Sequence, residues 1–230
     1  MRVVLRIGVE LADALPGPGE LVADAQALEA AGADSLWIGA SGTLDPWTRL
    51  GALAATTHRI RIGVSGIDPA AWPVARLAAI LETLAQLSRD RLVVGAETPG
   101  GASRLRPIVP ARIPVVLVSS GRDSRAGPDR RAGPVRRAGP DRRADPDRRA
   151  GADRRAGADP TTVGEEGAAA LERWSRVPSP NGRGEWAALR ARHAEAGAAG
   201  ILVPMDPRLL DLLRNPDVED DRSDLRIAVG

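Results

Sequence analysis

The 230-residue chain contains no cysteine, no phenylalanine, no tyrosine and no lysine. Without cysteine it can have no disulfide, no thiolate nucleophile and no Cys-ligated metal. The five tryptophans carry the whole aromatic content, and all 32 basic residues are arginine. Ala, Gly, Pro and Arg are heavily used instead, a bias that looks like GC-rich codons and says little about chemistry. Only two histidines occur. His58 precedes an apolar run and His193 sits among Arg and Glu in a helical stretch, so no Ser–His–Asp set and no metal cluster can be assembled from them. No G-x-G-x-x-G or P-loop sequence is present. No apolar run reaches the roughly 18 residues needed to cross a bilayer. The start "MRVVLRIGVELADALPG" is broken by Arg6 and Glu10 and reads as a strand, not a signal peptide, so a soluble cytoplasmic protein without membrane partners is expected.

What is present falls into two kinds of sequence. The first hundred residues alternate between short apolar runs and amphipathic stretches. Strands are expected at 2–11, 35–40, 60–67 and 91–97, each β-branched or continuously apolar. Between them lie helical patterns. Leu21, Ala25 and Leu28 recur at helical spacing before Gly32. Asp45 and Pro46 supply an N-cap and a first helical position, and Val74, Leu77, Leu81 and Leu84 share one face. This βαβαβαβ order, with its period of 25 to 30 residues, is that of parallel βα units in a sheet buried on both faces. The pattern alone leaves a doubly wound sheet and a closed barrel equally open.

Further on, residues 113–119 read as another strand, "GEEGAAALERWSRV" (164–177) as a helix and "PSPNGRG" (178–184) as a loop. "EWAALRARHAEAGAAGILVPM" then repeats the helix, A-G-A turn and strand of "LVADAQALEAAGADSLWIGA". A short helix before Pro216 and a last strand or tail in "DLRIAVG" complete the expectations. Three parts follow: residues 1–121, an insert at 122–162, and residues 163–230.

The insert contains six copies of a unit close to R-A-G-P-D-R between Arg125 and Pro160. Residues 125–160 hold 11 Arg and 6 Asp, a balance of +5, so the remaining residues carry −3 of the chain's net +2. A β-helix of this period needs an apolar residue in every turn, and only Val135 is available. Asp beside the Arg pairs, and no stacking aromatics, argue against a nucleic-acid arm. Gly and Pro without buriable side chains read as a disordered insert.

The stretches "ALEAAGADSLWIG", "DPWTRLGALAATTHRIRIG" and "WPVARLAAILETLAQLSRDRLVVGAETPG", within residues 19–99, resemble the luciferase-like monooxygenase family. "IPVVLVSSGR" and "EWAALRARHAEAGAAGILVP" are similar to its later strand and its near-C-terminal helix–strand unit. The resemblance implies an α/β fold, a parallel (β/α) TIM-type barrel. Here the barrel is expected to be incomplete, because little separates "VVGAETPGG" from "ARIPVVLV" and the repeat occupies the place of a helix. It implies reduced FMN or a deazaflavin coenzyme, a small organic substrate, a flavin reductase partner and a homodimer. Nucleic acid is not expected as a partner. The cofactor carries the reactivity in such an enzyme, so missing acid–base machinery is compatible with it.

In such a barrel the site lies at the C-terminal ends of the strands. That rule points to Val9 and Glu10, Ala40 and Ser41, Ser65 and Gly66, Glu97 and Thr98, Ser119 to Gly121, and Met205; of these Ser65, Gly66, Glu97, Thr98, Ser119, Ser120 and Gly121, with Arg122, are the cofactor-binding candidates, and no catalytic residue is assigned. The resemblance implies a bulge, with a non-prolyl cis peptide, near Val64–Gly66. Small residues with free backbone N–H groups and Arg122 suit a phosphate at 119–122. Glu97 is the lone carboxylate on an apolar strand tip. Trp37, Trp47 and Trp72 read as core. Two rival readings are a barrel remnant that no longer binds flavin and an Arg-rich interaction protein.

Overall fold

The computed structural model describes residues 4–13, 18–120 and 171–215. Seven parallel strands close into a barrel in sequence order. They are β1 (Arg6–Glu10), β2 (Ser35–Gly39), β3 (Arg61–Ser65), β4 (Leu92–Ala96), β5 (Val115–Ser120), β6 (Arg173–Arg176) and β7 (Gly200–Pro204). The ring is completed by β1 against β7, in register from Arg6↔Gly200 to Glu10↔Pro204. Among the described residues six α-helices accompany them: α1 (Pro18–Ala30), α2 (Pro46–Thr56), α3 (Val74–Leu87), α4 (Pro99–Leu105), α5 (Arg183–Glu195) and α6 (Pro207–Arg214). The barrel is shortened, as the sequence implies, yet it is closed.

Helix starts follow a local rule. Asp45, Thr98 and Asp206 each precede a proline, and each accepts a backbone N–H of the first turn, from Thr48, Gly101 and Arg208 respectively. The proline needs no partner for an N–H it lacks, and the side-chain oxygen satisfies one that would be orphaned. The twice-used helix–turn–strand block is real. Both copies turn on a glycine with positive φ, Gly32 at 89° and Gly197 at 71°, which suits a residue without Cβ.

Two apolar clusters separate the faces of the sheet. The outer one packs Val9, Leu36, Ile38, Ile62, Val64, Val94 and Ile201 against helix residues such as Leu28, Leu50, Leu53, Leu77 and Leu81. The inner one fills the lumen with Trp37, Trp174, Val93, Val116, Val118 and Leu202. The two tryptophan rings lie 5.7 Å apart at 54°, and Trp37 Nε1 donates to Ser35 Oγ at 2.8 Å. Room for the rings comes from glycines on four strands. A methyl group at Gly95 would stand 2.8 Å from Trp37 Cζ3, one at Gly200 would stand 2.5 Å from Trp174, and Gly8 and Gly63 abut Trp37 just as closely. Below the rings, Arg6 Nη2 donates to Glu172 Oε1 at 2.8 Å and the Arg6 guanidinium lies 5.8 Å from the Trp174 ring centre.

Two expectations are corrected. Residues 173–176 are strand β6, not the end of a helix over 164–177. Trp174 fills the lumen, and the segment pairs with both β5 and β7, a gain that outweighs the helical propensity of its neighbours. Residues 164–170 lie outside the described residues, as do the repeat and "DLRIAVG". All described peptide bonds are trans, so the cis peptide implied near Val64–Gly66 is not there. Gly66 makes the turn with φ 73° instead.

At the pole where strands begin, Glu29 accepts the backbone N–H groups of His58, Arg59 and Ile60 at 2.9, 2.5 and 2.9 Å. Burial raises its pKa, but these donors and the nearby His58 outweigh that, and the carboxyl is held below the ordinary range. A depressed folded pKa gives stability that is present above the unfolded value and lost as pH falls through the folded one. Urea midpoints of the native chain should therefore drop below about pH 4.3, and Glu29→Gln should flatten that limb while lowering the midpoint at neutral pH. Gly95→Ala should cost about 1–3 kcal/mol by overpacking against Trp37, read by thermal or urea unfolding; an unchanged midpoint would show that the lumen has slack.

Candidate functional site

Strand side chains alternate between faces, so each inward residue two steps past the tryptophan–glycine level reaches the mouth. Gly8 leads to Glu10, Gly63 to Ser65, Gly95 to Glu97 and Trp174 to Arg176. These four residues meet around a cavity of about 320 Å³ at the C-terminal end of the barrel. Arg176 stands at its centre. Its Nε donates to Glu10 Oε1 at 3.2 Å, Nη1 to Glu97 Oε1 at 3.1 Å and Nη2 to Ser65 Oγ at 2.7 Å. The side chains of Arg176 and Glu10 are about three-quarters buried, Glu97 is half exposed and Ser65 is fully buried.

Leu11, Ala12, Pro204 and Met205 give the cavity apolar walls, and Gly39, Ser41 and Gly66 a bare shelf between the tips of β2 and β3. A Cβ at Gly39 would meet nothing within 4 Å, and one at Gly66 would reach only ordinary contact with Glu97 and Ser41. Asp13 completes the lining. It is held by Arg49 of α2, which is 6% exposed; Nη1 lies 3.4 Å from Asp13 Oδ1 and Nη2 donates to the Ala12 carbonyl at 2.6 Å.

Of the residues singled out from sequence, Ser65, Gly66 and Glu97 come together here. Thr98 uses its hydroxyl to cap α4, accepting from Gly101 N at 3.0 Å. Ser119 donates to the Trp174 carbonyl at 3.3 Å. Ser120 is exposed at the tip of β5, in register with Arg176. Gly121 and Arg122 lie outside the described residues. Glu10, one of the strand ends named from sequence, is at the mouth too; what sequence reasoning missed is Arg176 and its pairing with Glu10 and Glu97. The signal that could have found them is the small-or-Trp, x, polar pattern at four strand ends.

The histidines stay away from the mouth. His58 is at the opposite pole, as expected from its place before β3. His193 is half-buried on α5, and burial, then Arg192, pushes its pKa down. Trp37 is core; Trp47 and Trp72 are partly buried and meet edge to face at 5.7 Å. Among the described residues no cluster of His, Cys, Asp and Glu suits a metal ion, and no helix is long and apolar enough to cross a membrane.

Residues 2–106 match the sequence model of the family described as luciferase-like monooxygenase. The matched stretch covers less than half of the chain. It spans β1 through α4 and so supplies Glu10, Ser65, Gly66 and Glu97, whereas Arg176 lies beyond it. Among solved structures, the coenzyme F420 dependent tetrahydromethanopterin reductase from Methanopyrus kandleri is similar at 19% identity and a TM-score of 0.36, over 47% of this chain and 31% of that one. The monooxygenase RslO1 from Streptomyces bottropensis is similar at 15% identity and a TM-score of 0.44, over 86% and 70%. The chain thus spans about a third of the reductase's length. Both likenesses are distant, and neither bears on what this chain binds. No curated protein matches the chain.

Arg49→Met should cost about 1–2 kcal/mol in urea unfolding, because the Ala12 carbonyl and Asp13 lose their tie to α2. Asp13→Asn should cost less than about 1 kcal/mol, since the lost pair is half exposed. Equal losses in the two variants would assign the tie to the ion pair and not to the Ala12 carbonyl.

Proposed function

We propose that the protein is a flavin- or deazaflavin-dependent oxidoreductase of the luciferase-like type, acting on a small organic substrate at the barrel mouth. The observation that carries this reading is the inward ring Glu10–Ser65–Glu97–Arg176 above a sealed tryptophan floor, built largely from the luciferase-like stretch. A ring-shaped group fits the residues present. The Gly39–Gly66 shelf offers backbone without side chains, Leu11 and Met205 offer apolar contact, and the cavity is of ligand-binding size.

When bound, the reduced flavin would supply the electron-transfer chemistry that no side chain in the mouth possesses. The residues do the rest. Arg176 and Ser65 orient an acceptor-bearing edge by hydrogen bonds. The apolar walls exclude water from one side of the ring. The anionic tail would lie on the small residues Ser119 and Ser120 at the tip of β5 and not on Arg176, whose charge Glu10 and Glu97 offset.

A second reading, a remnant that no longer binds flavin, is favoured by one observation. Arg176 is the sole basic residue among the described lining, and two carboxylates already hold it. Titration decides between them. FMN, reduced FMN and the deazaflavin coenzyme are added to the purified chain while cofactor or tryptophan fluorescence is followed. Binding of one of them in the micromolar range, weakened about tenfold by Arg176→Met, is the expected result. No binding of any of them at high micromolar concentration would leave the remnant.

A further inference from the structure

A guanidinium has five N–H bonds in a planar fork. Three of those on Arg176 are directed to Glu10, Glu97 and Ser65, on three other strands, β1, β4 and β3, or just beyond them. Two N–H bonds are left. The fork cannot swing, because its three anchors come from separate parts of the wall. Ser65 Oγ accepts from Arg176 and keeps its own proton to donate, and its side chain is fully buried at the cavity. The mouth therefore holds a fixed set of donors.

The charge on this set is unusual for an arginine site. One guanidinium faces two carboxylates, so the trio carries −1. Asp13, paired with the buried Arg49, adds no net charge. An arginine alone would draw a carboxylate or a phosphate. An arginine between two carboxylates offers hydrogen-bond donors without offering positive charge.

We propose that Glu10 and Glu97 are positioning residues that lock Arg176 and more than offset its charge, so that the mouth selects a neutral carbonyl-bearing ligand, such as an amide, imide or ketone, over a carboxylate. The ligand's carbonyl oxygen takes the two remaining Arg176 N–H bonds and the Ser65 hydroxyl. Its apolar body lies against Leu11, Pro204 and Met205. This specificity rests on the reading of the mouth as the functional site, but not on flavin being what binds there.

Three probes of one size test it: benzamide, benzoate and benzylamine, titrated into the full chain by ligand-observed NMR at fixed ionic strength. Benzamide should bind at least about fivefold tighter than benzoate, and benzylamine reports the pull of the net −1. Glu97→Gln keeps an acceptor oxygen for Arg176 and removes one charge, so it should improve benzoate about fivefold more than benzamide. A purely structural role for Glu97 would move all three probes together. Glu10→Gln should act in the same direction, and gives a second variant should the first fail to fold. The proposal is overturned if benzoate matches benzamide, if the glutamine variants leave the benzamide-to-benzoate ratio unchanged, or if none of the three binds at millimolar concentration. Flavins failing to bind while the benzamide preference holds would remove the flavin reading alone. Flavins binding without that preference would remove this one alone.

Discussion

The contact between Trp37 and Trp174 inside the barrel sets the conditions for everything above and below it. Two indole rings 5.7 Å apart occupy a lumen bounded by seven strands. Each buries about 150–250 Å², worth about 4–6 kcal/mol of transfer free energy. They fit only because Gly8, Gly63, Gly95 and Gly200 present no side chain toward them. Trp174 also accounts for β6, a four-residue strand whose flanks do not otherwise favour extended structure. Its ring in the lumen adds apolar burial to the backbone pairing that holds Arg173–Arg176 between β5 and β7.

The same alternation of side chains connects that plug to chemistry. One residue pair toward the start of the strands, Arg6 meets Glu172; one pair toward their ends, Glu10, Ser65, Glu97 and Arg176 meet. An apolar floor lies between two polar levels. The floor keeps the upper level from being solvated from below, which strengthens its hydrogen bonds and fixes their geometry. The carboxylates of that level come from the luciferase-like stretch and the guanidinium from outside it. The mouth is therefore complete only when the barrel is closed.

Much of the fold was legible in the sequence because its signals are local. Apolar runs of β-branched residues marked β1 to β5. Asp-Pro marked the start of α2, and the twice-used A-G-A turn marked the entries to β2 and β7. Three strand-end candidates, Ser65, Gly66 and Glu97, were legible from the rule that barrel sites lie at strand tips. What escaped was long-range. "RWSR" carries no strand signal by itself; it becomes a strand through Trp174's contact with Trp37, 137 positions earlier in the chain. Arg176 escaped with it, since a residue on an unrecognised strand has no tip to occupy. Thr98 was selected by position, but its hydroxyl is used within its own turn.

The glycines around Trp37 carry an evolutionary consequence. Their intolerance of a side chain is conditional, created by a neighbour and not by their own backbone. A lineage that first exchanged Trp37 for a smaller residue would find Gly63 open to substitution, whereas Gly8 would still meet Leu202 and Gly95 Val118, and once Gly63 was filled the tryptophan could not return. The order in which such changes arrive, more than their individual merit, would decide which lumens this chain's descendants can reach.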